Sequence, residues 1–532
     1  MSQKEHLTIR WAFGMGQNAE IDFTRDELRK ICDPIIDQAI APIDAALDKT
    51  NLEKEDIDLI IMAGGSSQLP GVSDKLYQKF GKRPKPIPMN LMLAVSSGAT
   101  LQQRETMSLP MDKKPVKRVG TSLGIQVQDG GRRTTKLLLN HNEELPATKR
   151  YTLPIDEGQT EASLQLVTMK GNQNVPERFL NKRVLRLEHD TTEIIAEITV
   201  TENRVIQLKA WDPKHTEQQV IIQADQNALT ETQIENRRKL LGISEKNAGG
   251  NKKQPCIGID LGTTTTELTF SNRTLGSPVE YLENPEAPAS YATYSFPSVV
   301  YFKEGQEKPE VANETAVNAL TDASALNRVF SNFKTEDRRS FCKKVDDKTI
   351  TVRDLSALVL AKVWETAQSR FAEFNLERAV VTVPAKFDFD QCRETIEAAQ
   401  MAGIKDVTLI DEPTAAFEYY RSQNNIDVNK IQNVLVFDFG GGTTDVAILD
   451  LANNSDAEDN RYKECLYNVI GIDGDPECGG KNVDAASYDY LQKQIEDKYQ
   501  KPLTALYQKQ LRKKIEEVKV RLSEDDGDDD NG

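Results

Sequence analysis

An aspartate placed just ahead of a Gly-Thr-Thr turn occurs twice in this chain. The two copies are Gly258-Ile259-Asp260-Leu261-Gly262-Thr263-Thr264 and Phe437-Asp438-Phe439-Gly440-Gly441-Gly442-Thr443-Thr444-Asp445, each entered from a strand-like apolar run. A Gly-Thr-Thr turn between two strands exposes backbone N–H groups and hydroxyls to an anion, and glycine lets the main chain approach phosphate closely. One such loop is an ordinary tight hairpin more often than a binding site. Two of the same form imply a duplicated α/β domain whose related lobes clamp a polyphosphate from both sides, which is the arrangement of an ATP site.

A chain of 532 residues exceeds what one hydrophobic core fills, so three or four packed units are expected. Hydrophobic residues make up 38% and charged residues 28%, the balance of a water-soluble protein, and no apolar run reaches the roughly 18 residues that would span a bilayer. No membrane partner is expected. The opening Met1-Ser2-Gln3-Lys4-Glu5-His6 lacks the basic-then-apolar order of a secretory signal, which favours a cytoplasmic location. Lys plus Arg number 67 against 83 Asp plus Glu, and the net charge of −16 opposes binding to nucleic acid. Cys32, Cys256, Cys342, Cys392, Cys465 and Cys478 show no metal-ligand spacing and read as idle thiols in a reducing compartment. The histidines, His6, His141, His189 and His215, all lie away from both phosphate loops, so carboxylates, hydroxyls and lysines are left to do the chemistry.

Residues 7–105 alternate helix and strand. Thr24-Arg25-Asp26-Glu27 is a capping box, and Leu28, Ile31, Ile35, Ala39, Ile43 and Leu47 behind it predict a long amphipathic helix bent at Pro34 or Pro42. Ile57–Met62 reads as a buried strand ending in a Gly-Gly turn. From about 117 to 224 short strands follow one another at Ser122–Val127, Lys136–Leu139, Ala162–Met169, Ile194–Val200, Val205–Trp211 and Gln218–Ile222, the pattern of a separate all-β sandwich. A short helix capped at Thr230 leads into a polar, Gly-containing linker at 244–255, which can span at most about 40 Å. Residues 256–525 return to alternating strands and helices, and 526–532 form an acidic tail expected to be solvated.

Several motifs together resemble the seventy-kilodalton heat-shock chaperone family, including its DnaK-like and HscC-like members. They are Ile257 to Thr264, Val381-Thr382-Val383-Pro384-Ala385-Lys386-Phe387, Asp411-Glu412-Pro413-Thr414-Ala415-Ala416, Val436 to Asp445, Gly474-Asp475 followed by Gly479-Gly480, and Ile60-Ile61-Met62-Ala63-Gly64-Gly65-Ser66. His6 to Trp11 and Gly65-Ser66-Ser67-Gln68-Leu69-Pro70 look closer to HscC. In the family the Gly-Gly-Ser turn follows both phosphate loops, and here it precedes them, so the chain reads as circularly permuted. The resemblance implies an actin-like ATPase of two ribonuclease H-like lobes assembled from both chain ends, plus an inserted peptide-binding sandwich. On that reading 1–105 is the C-terminal part of the nucleotide-binding domain (lobe II), 106–119 the interdomain linker, 120–228 the sandwich and 229–255 the short helix with the joining linker. Residues 256–525 are then lobe I with the start of lobe II.

The resemblance also implies roles. Asp260 and Asp438 would hold hydrated Mg²⁺, with K⁺ as a further cation. Gly262, Thr263, Thr264, Thr265, Gly441, Gly442 and Thr443 would cradle the phosphates of ATP or ADP. Lys334 would steady the γ-phosphate and the attacking water, which Glu412 and Asp445 would orient or deprotonate, with Thr443 beside them. Glu516, Lys519 and Ser523, with Gly64, Gly65, Ser66 and Gln68, match the adenosine contacts. Ile125, Leu153, Leu164 and Leu166 could line a pocket for an apolar peptide side chain, although leucines at alternate strand positions are ordinarily core. Implied partners are unfolded or extended peptides, a J-domain co-chaperone and a nucleotide exchange factor.

Four departures bear on this reading. Gln68 stands where the family has an arginine stacked on adenine. Cys392 stands eight residues after Pro384, where the family's proline switch places an arginine, with Arg393 as the only near substitute. The interdomain segment Met111-Asp112-Lys113-Lys114-Pro115-Val116-Lys117-Arg118-Val119 is basic rather than aliphatic, and the helical lid is cut short near Ile243. Two other functions fit the phosphate loops: a small-molecule, sugar-type kinase of the same superfold, against which the sandwich argues, and a nucleotide-sensing binding module without hydrolysis.

Overall fold

The computed structural model describes residues 6–12, 18–87, 91–108, 117–118, 122–129, 132–140, 143–156, 158–169, 175–223, 228–244, 254–272, 274, 276–322, 324–325, 327–336, 340–424, 426–427, 430–451 and 467–523. The joining linker at 245–253, most of the basic interdomain segment and the acidic tail lie outside the described residues.

Two mixed sheets repeat one plan. In the first, Glu280–Tyr281, Thr265–Ser271, Cys256–Leu261, Arg378–Val383 and Asp406–Asp411 lie side by side. In the second the order is Tyr467–Asp475, Thr444–Leu451, Asn433–Phe439, Leu59–Ala63, Lys85–Pro86. Each begins with antiparallel strands and ends with two parallel additions. The parallel strands are apolar on both faces, as strands covered by helices on each side must be: all five residues of Leu59–Ala63 are buried, as are Ala379 to Val383. The second sheet is built from both ends of the chain, with Leu435 opposite Ile60 and Phe437 opposite Met62.

The first long helix, Arg25–Ile40, starts at the expected capping box, with both reciprocal bonds between Thr24 and Glu27 present. It continues through Pro34, and the chain breaks instead at Ala41, so that Pro42 opens a second short helix, Pro42–Leu47. Proline at a first helical turn loses no hydrogen bond, which explains why the break falls there. The helix Leu91–Ser108 joins the two halves. Gln103 Oε1 accepts from the Ile257 N–H at 2.6 Å, and the Thr100 and Thr269 hydroxyls are 2.7 Å apart. At Gly98 this helix meets the helix Glu412–Gln423 so closely that an added Cβ would lie 1.7 Å from the Ala415 carbonyl oxygen.

Between 122 and 223 the chain forms two four-stranded antiparallel sheets enclosing one core. The strand orders are Pro176–Arg186, Glu161–Met169, Leu123–Asp129, Arg132–Leu139 and Gln219–Gln223, Ile206–Trp211, Glu193–Val200, Ala147–Pro154. The strands Ala147–Pro154 and Pro176–Arg186 escape the sequence reading because Lys149, Arg150, Arg178, Lys182 and Arg183 interrupt their alternation. Of the basic interdomain segment, Lys117–Arg118 pairs with Glu144–Leu145 of this β unit. The helix Glu231–Leu241 then packs on the first lobe, with Leu241 in its core. No helix among the described residues is long and apolar enough to cross a membrane.

Gly98→Ala is expected to lower stability by about 3 kcal/mol, because the backbone carbonyl it strikes cannot move aside as a side chain could. Equilibrium denaturation would read this; a loss below about 1 kcal/mol would mean that the helix crossing can relax.

Candidate functional site

The two Gly-Thr-Thr turns meet face to face. A methyl group on Gly441 would come within 2.9 Å of Thr264 Oγ1, and one on Gly442 within 2.8 Å of Thr263. Each turn is braced from behind. Ser298 donates its hydroxyl to the Gly262 carbonyl at 2.9 Å and its N–H to Thr264 O at 2.8 Å. On the other side the Gly440 carbonyl accepts from Ser66 Oγ at 2.8 Å and from the Gly480 N–H at 3.0 Å. The Gly64-Gly65-Ser66 turn of the N-terminal segment is thereby seated against the second phosphate loop. Gly64 sits at φ 77°, and a side chain there would collide with Asp438 Oδ1 at 2.3 Å.

Four carboxylates surround one ammonium group at the base of the cleft. Lys334 donates to Glu412 Oε1 at 2.6 Å, and the lysine is only 4% exposed. Asp260 accepts from the Thr382 hydroxyl at 2.6 Å, and Asp445 accepts from the Ala385 N–H at 2.6 Å. Burial raises all four carboxyls above their ordinary range. Glu412 is pushed up to about 8 by burial, against the pull of Lys334 and with added repulsion from Asp260 and Asp445. Asp445 rises to about 6 through burial, held down by Thr443 and the Ala385 N–H. Asp438 is driven well up by burial and by Glu412, Asp445 and Asp260. Asp260 is raised by burial, with Lys334 and Thr382 opposing. One lysine cannot neutralise this set, so the site favours an additional cation. Among the described residues no three His, Cys, Asp or Glu side chains converge tightly enough to hold a bare metal. A hard ion held by few carboxylates keeps its waters, which is how Mg²⁺ sits on phosphates.

The remaining assigned residues distribute unevenly. Gly262, Thr263, Thr264, Gly441, Gly442 and Thr443 are at the junction of the two turns. Thr265 is buried and its hydroxyl is engaged with Glu267, so it serves the carboxylate behind the loop. Lys519 lies beside the second loop, bonding Asp484 at 2.8 Å and reaching the Gly480 carbonyl at 3.5 Å. Ser523 is buried with its hydroxyl already given to the Lys519 carbonyl at 2.8 Å, whereas Glu516, Gly65 and Gln68 remain exposed. Arg393 pairs with Glu397 on its own helix at 3.1 Å and leaves the place beside Cys392 unfilled from that helix.

Ile125, Leu164 and Leu166 are fully buried, and Leu153 nearly so, in the core shared by the two sheets. In this conformation they offer no surface to a peptide. Sequence reasoning passed over Thr382 and Ser298, the hydroxyls that support Asp260 and the first loop. A threonine inside the otherwise apolar run Ala379 to Val383 was the available signal for the former.

The family model described as Hsp70 protein matches this chain over residues 1–254 and 256–529, two stretches that cover nearly its whole length.

The raised carboxyls fix the sign of a pH effect. Unfolded Asp and Glu release protons near 3.8 and 4.5, whereas folded Asp445 and Glu412 hold theirs to about 6 and about 8. Between about pH 4 and pH 8 the folded state therefore binds more protons, and stability falls as pH rises. Asp438→Asn removes part of the repulsion and is expected to raise the melting temperature of the nucleotide-free protein at pH 8 more than at pH 5. Equal shifts at the two pH values would contradict the electrostatic account.

Proposed function

The chain belongs to the Hsp70 family, a family of chaperones and ATPases with an actin-like ATPase fold, whose members bind ATP or ADP with Mg²⁺. From that premise we propose that this protein binds unfolded or extended apolar peptides and hydrolyses ATP to ADP and phosphate. The observation that carries the reading is the pair of opposed phosphate turns above the Lys334–Glu412 ion pair. Asp260 and Asp438 are the proposed holders of hydrated Mg²⁺, which would neutralise charge on the phosphates. Water attacks the γ-phosphorus while the bond to the β,γ-bridging oxygen breaks, and a carboxylate takes the proton. Asp445, with its carboxyl near 6, suits that base role at neutral pH, and Glu412, held by Lys334, suits orientation. Catalysis of this kind rests on positioning and electrostatics, and slow turnover is expected.

The proposed chain order is circularly permuted, with 256–525 corresponding to the family's first part and 1–105 to the rest of the nucleotide-binding domain. Support comes from the parallel pairing of Leu59–Ala63 with Asn433–Phe439 and from the family match falling into two stretches. Likeness to DnaK and HscC rests on the motifs quoted above. Residues 120–228 are proposed as the peptide-binding domain. Because Ile125, Leu153, Leu164 and Leu166 are buried here, peptide access would require their strands to part. The proposed setting is the cytoplasm, with a J-domain co-chaperone, and an exchange factor, as partners. Family membership gives no support to a sugar-type kinase.

Lys334→Ala is expected to keep nucleotide binding within about threefold and to lose at least about 90% of phosphate release. Calorimetry and single-turnover hydrolysis, with and without an unfolded peptide and a J-domain protein, would test this. Undiminished turnover in the variant would remove Lys334 from the mechanism.

A further inference from the structure

Asp445, the proposed base, belongs to the second sheet and is gripped from the first. It stands in the strand Thr444–Leu451, and its carboxylate accepts the Ala385 N–H at 2.6 Å from the chain leaving the strand Arg378–Val383. The Lys386 N–H bonds the same carboxylate. Both N–H groups lie in the turn 384–387, which the Phe387 N–H closes on Pro384 O at 3.0 Å. The side chain of Lys386 then crosses to the second sheet. Its ammonium donates to Asp473 Oδ1 at 2.9 Å and to the Gly474 carbonyl at 3.0 Å. Both residues lie in the strand Tyr467–Asp475, where Gly474 is the direct partner of Asp445. The fit there is close, since a Cβ on Gly474 would lie 3.2 Å from Asp445 Oδ1 and 2.5 Å from Thr444 O. A ring therefore runs from the backbone N–H groups to Asp445, over the strand pair to Gly474, and back through the lysine side chain.

A second lysine meets Asp473 from its own side. Lys49, just beyond the helix Pro42–Leu47, donates to Asp473 Oδ2 and to the Ile472 carbonyl, both at 2.7 Å. Asp473 is buried, which raises its carboxyl, but the bonds from Lys49 and Lys386 outweigh burial and hold it below its ordinary range. Lys49 fixes Asp473 within the second lobe. Lys386 is the member of the trio that ties one lobe to the other.

Resting on the ATPase reading above, we propose that Lys386 is a positioning residue for Asp445: by bonding Asp473 and Gly474, its side chain keeps the turn 384–387 against the second sheet, and so keeps the Ala385 and Lys386 N–H groups on the carboxylate. A hydrogen bond from an ammonium to a carboxylate is stronger and shorter than a neutral one, so this crossing is the firmest link the turn makes to that sheet. A base must be aimed at the water it deprotonates, and a shift of about 1 Å in such a group lowers the rate far more than it weakens binding. The Lys386 side chain is 52% exposed, so water screens the pair and its loss disturbs alignment while sparing the fold.

The test compares Lys386→Met, Lys386→Arg and Lys49→Met in the full chain. Lys49→Met is the control, since it takes the other cation from Asp473 and leaves the bond from Lys386 to the Gly474 carbonyl in place. Backbone hydrogen exchange over 381–389 is followed without nucleotide, thermal unfolding is recorded, and phosphate release is measured across ATP concentrations. Lys386→Met should speed exchange of the 385 and 386 amides by about tenfold and lower kcat by about fivefold, with KM unchanged within about twofold. Lys386→Arg should recover most of both, because a guanidinium can still donate to both acceptors. Lys49→Met should lower the melting temperature at least as much as Lys386→Met, yet keep kcat within about twofold of wild type. A kcat in Lys386→Met no lower than in Lys49→Met would overturn the proposal, as would unchanged exchange or an arginine that restores neither quantity. Should the wild-type chain release no phosphate, the ATPase reading fails, while the exchange comparison still decides whether Lys386 holds the turn.

Discussion

The parallel pairing of Leu59–Ala63 with Asn433–Phe439 is the constraint from which the rest follows. It closes the second sheet with residues from the far end of the chain and carries Gly64 to Ser66 against the Gly440 carbonyl. Without it the second phosphate turn would lack its backing and the helix Leu91–Ser108 would have no reason to lie across the first sheet. The buried, two-faced apolar character of the five residues is what makes this pairing worth its long loop: a strand that must be covered on both sides can be satisfied only inside a sheet.

Below that scaffold the site holds an electrostatic surplus. Four carboxylates crowd one lysine in a buried region; burial raises the proton affinity of each, and neighbouring carboxylates add to it at Glu412 and Asp438. Such an arrangement works against folding on its own account. The hydroxyls of Thr382 and Ser298 and the Ala385 N–H hold the parts in place.

Much of this was legible in the residues themselves. The paired turns, the capping boxes at Thr24 and Thr230 and the buried strand before Gly64 are local patterns with local causes, and they appear where expected within a residue or two. The strands Ala147–Pro154 and Pro176–Arg186 were hidden because Lys149 takes an inward-parity position between Ala147 and Tyr151 and because Asn181, Lys182 and Arg183 stand in a row, so neither shows a simple alternation. The leucines offered for a peptide pocket show what spacing leaves open: alternate positions identify an inward face, which here lies in the core shared by the two sheets.

The order in which the pieces occur along the chain has a consequence for biogenesis. A ribosome making this protein completes Leu59–Ala63 long before Asn433–Phe439, and the contact between Ser66 and Gly440 spans 374 residues. For most of translation an entirely apolar strand waits without its neighbour, a condition that invites premature association. The β unit, whose described strand pairs all fall between 117 and 223, can finish while the nascent strand still waits. The second sheet, by contrast, can close only once Asn433–Phe439 has been made, so the junction of the two Gly-Thr-Thr turns has to wait for the far end of the chain.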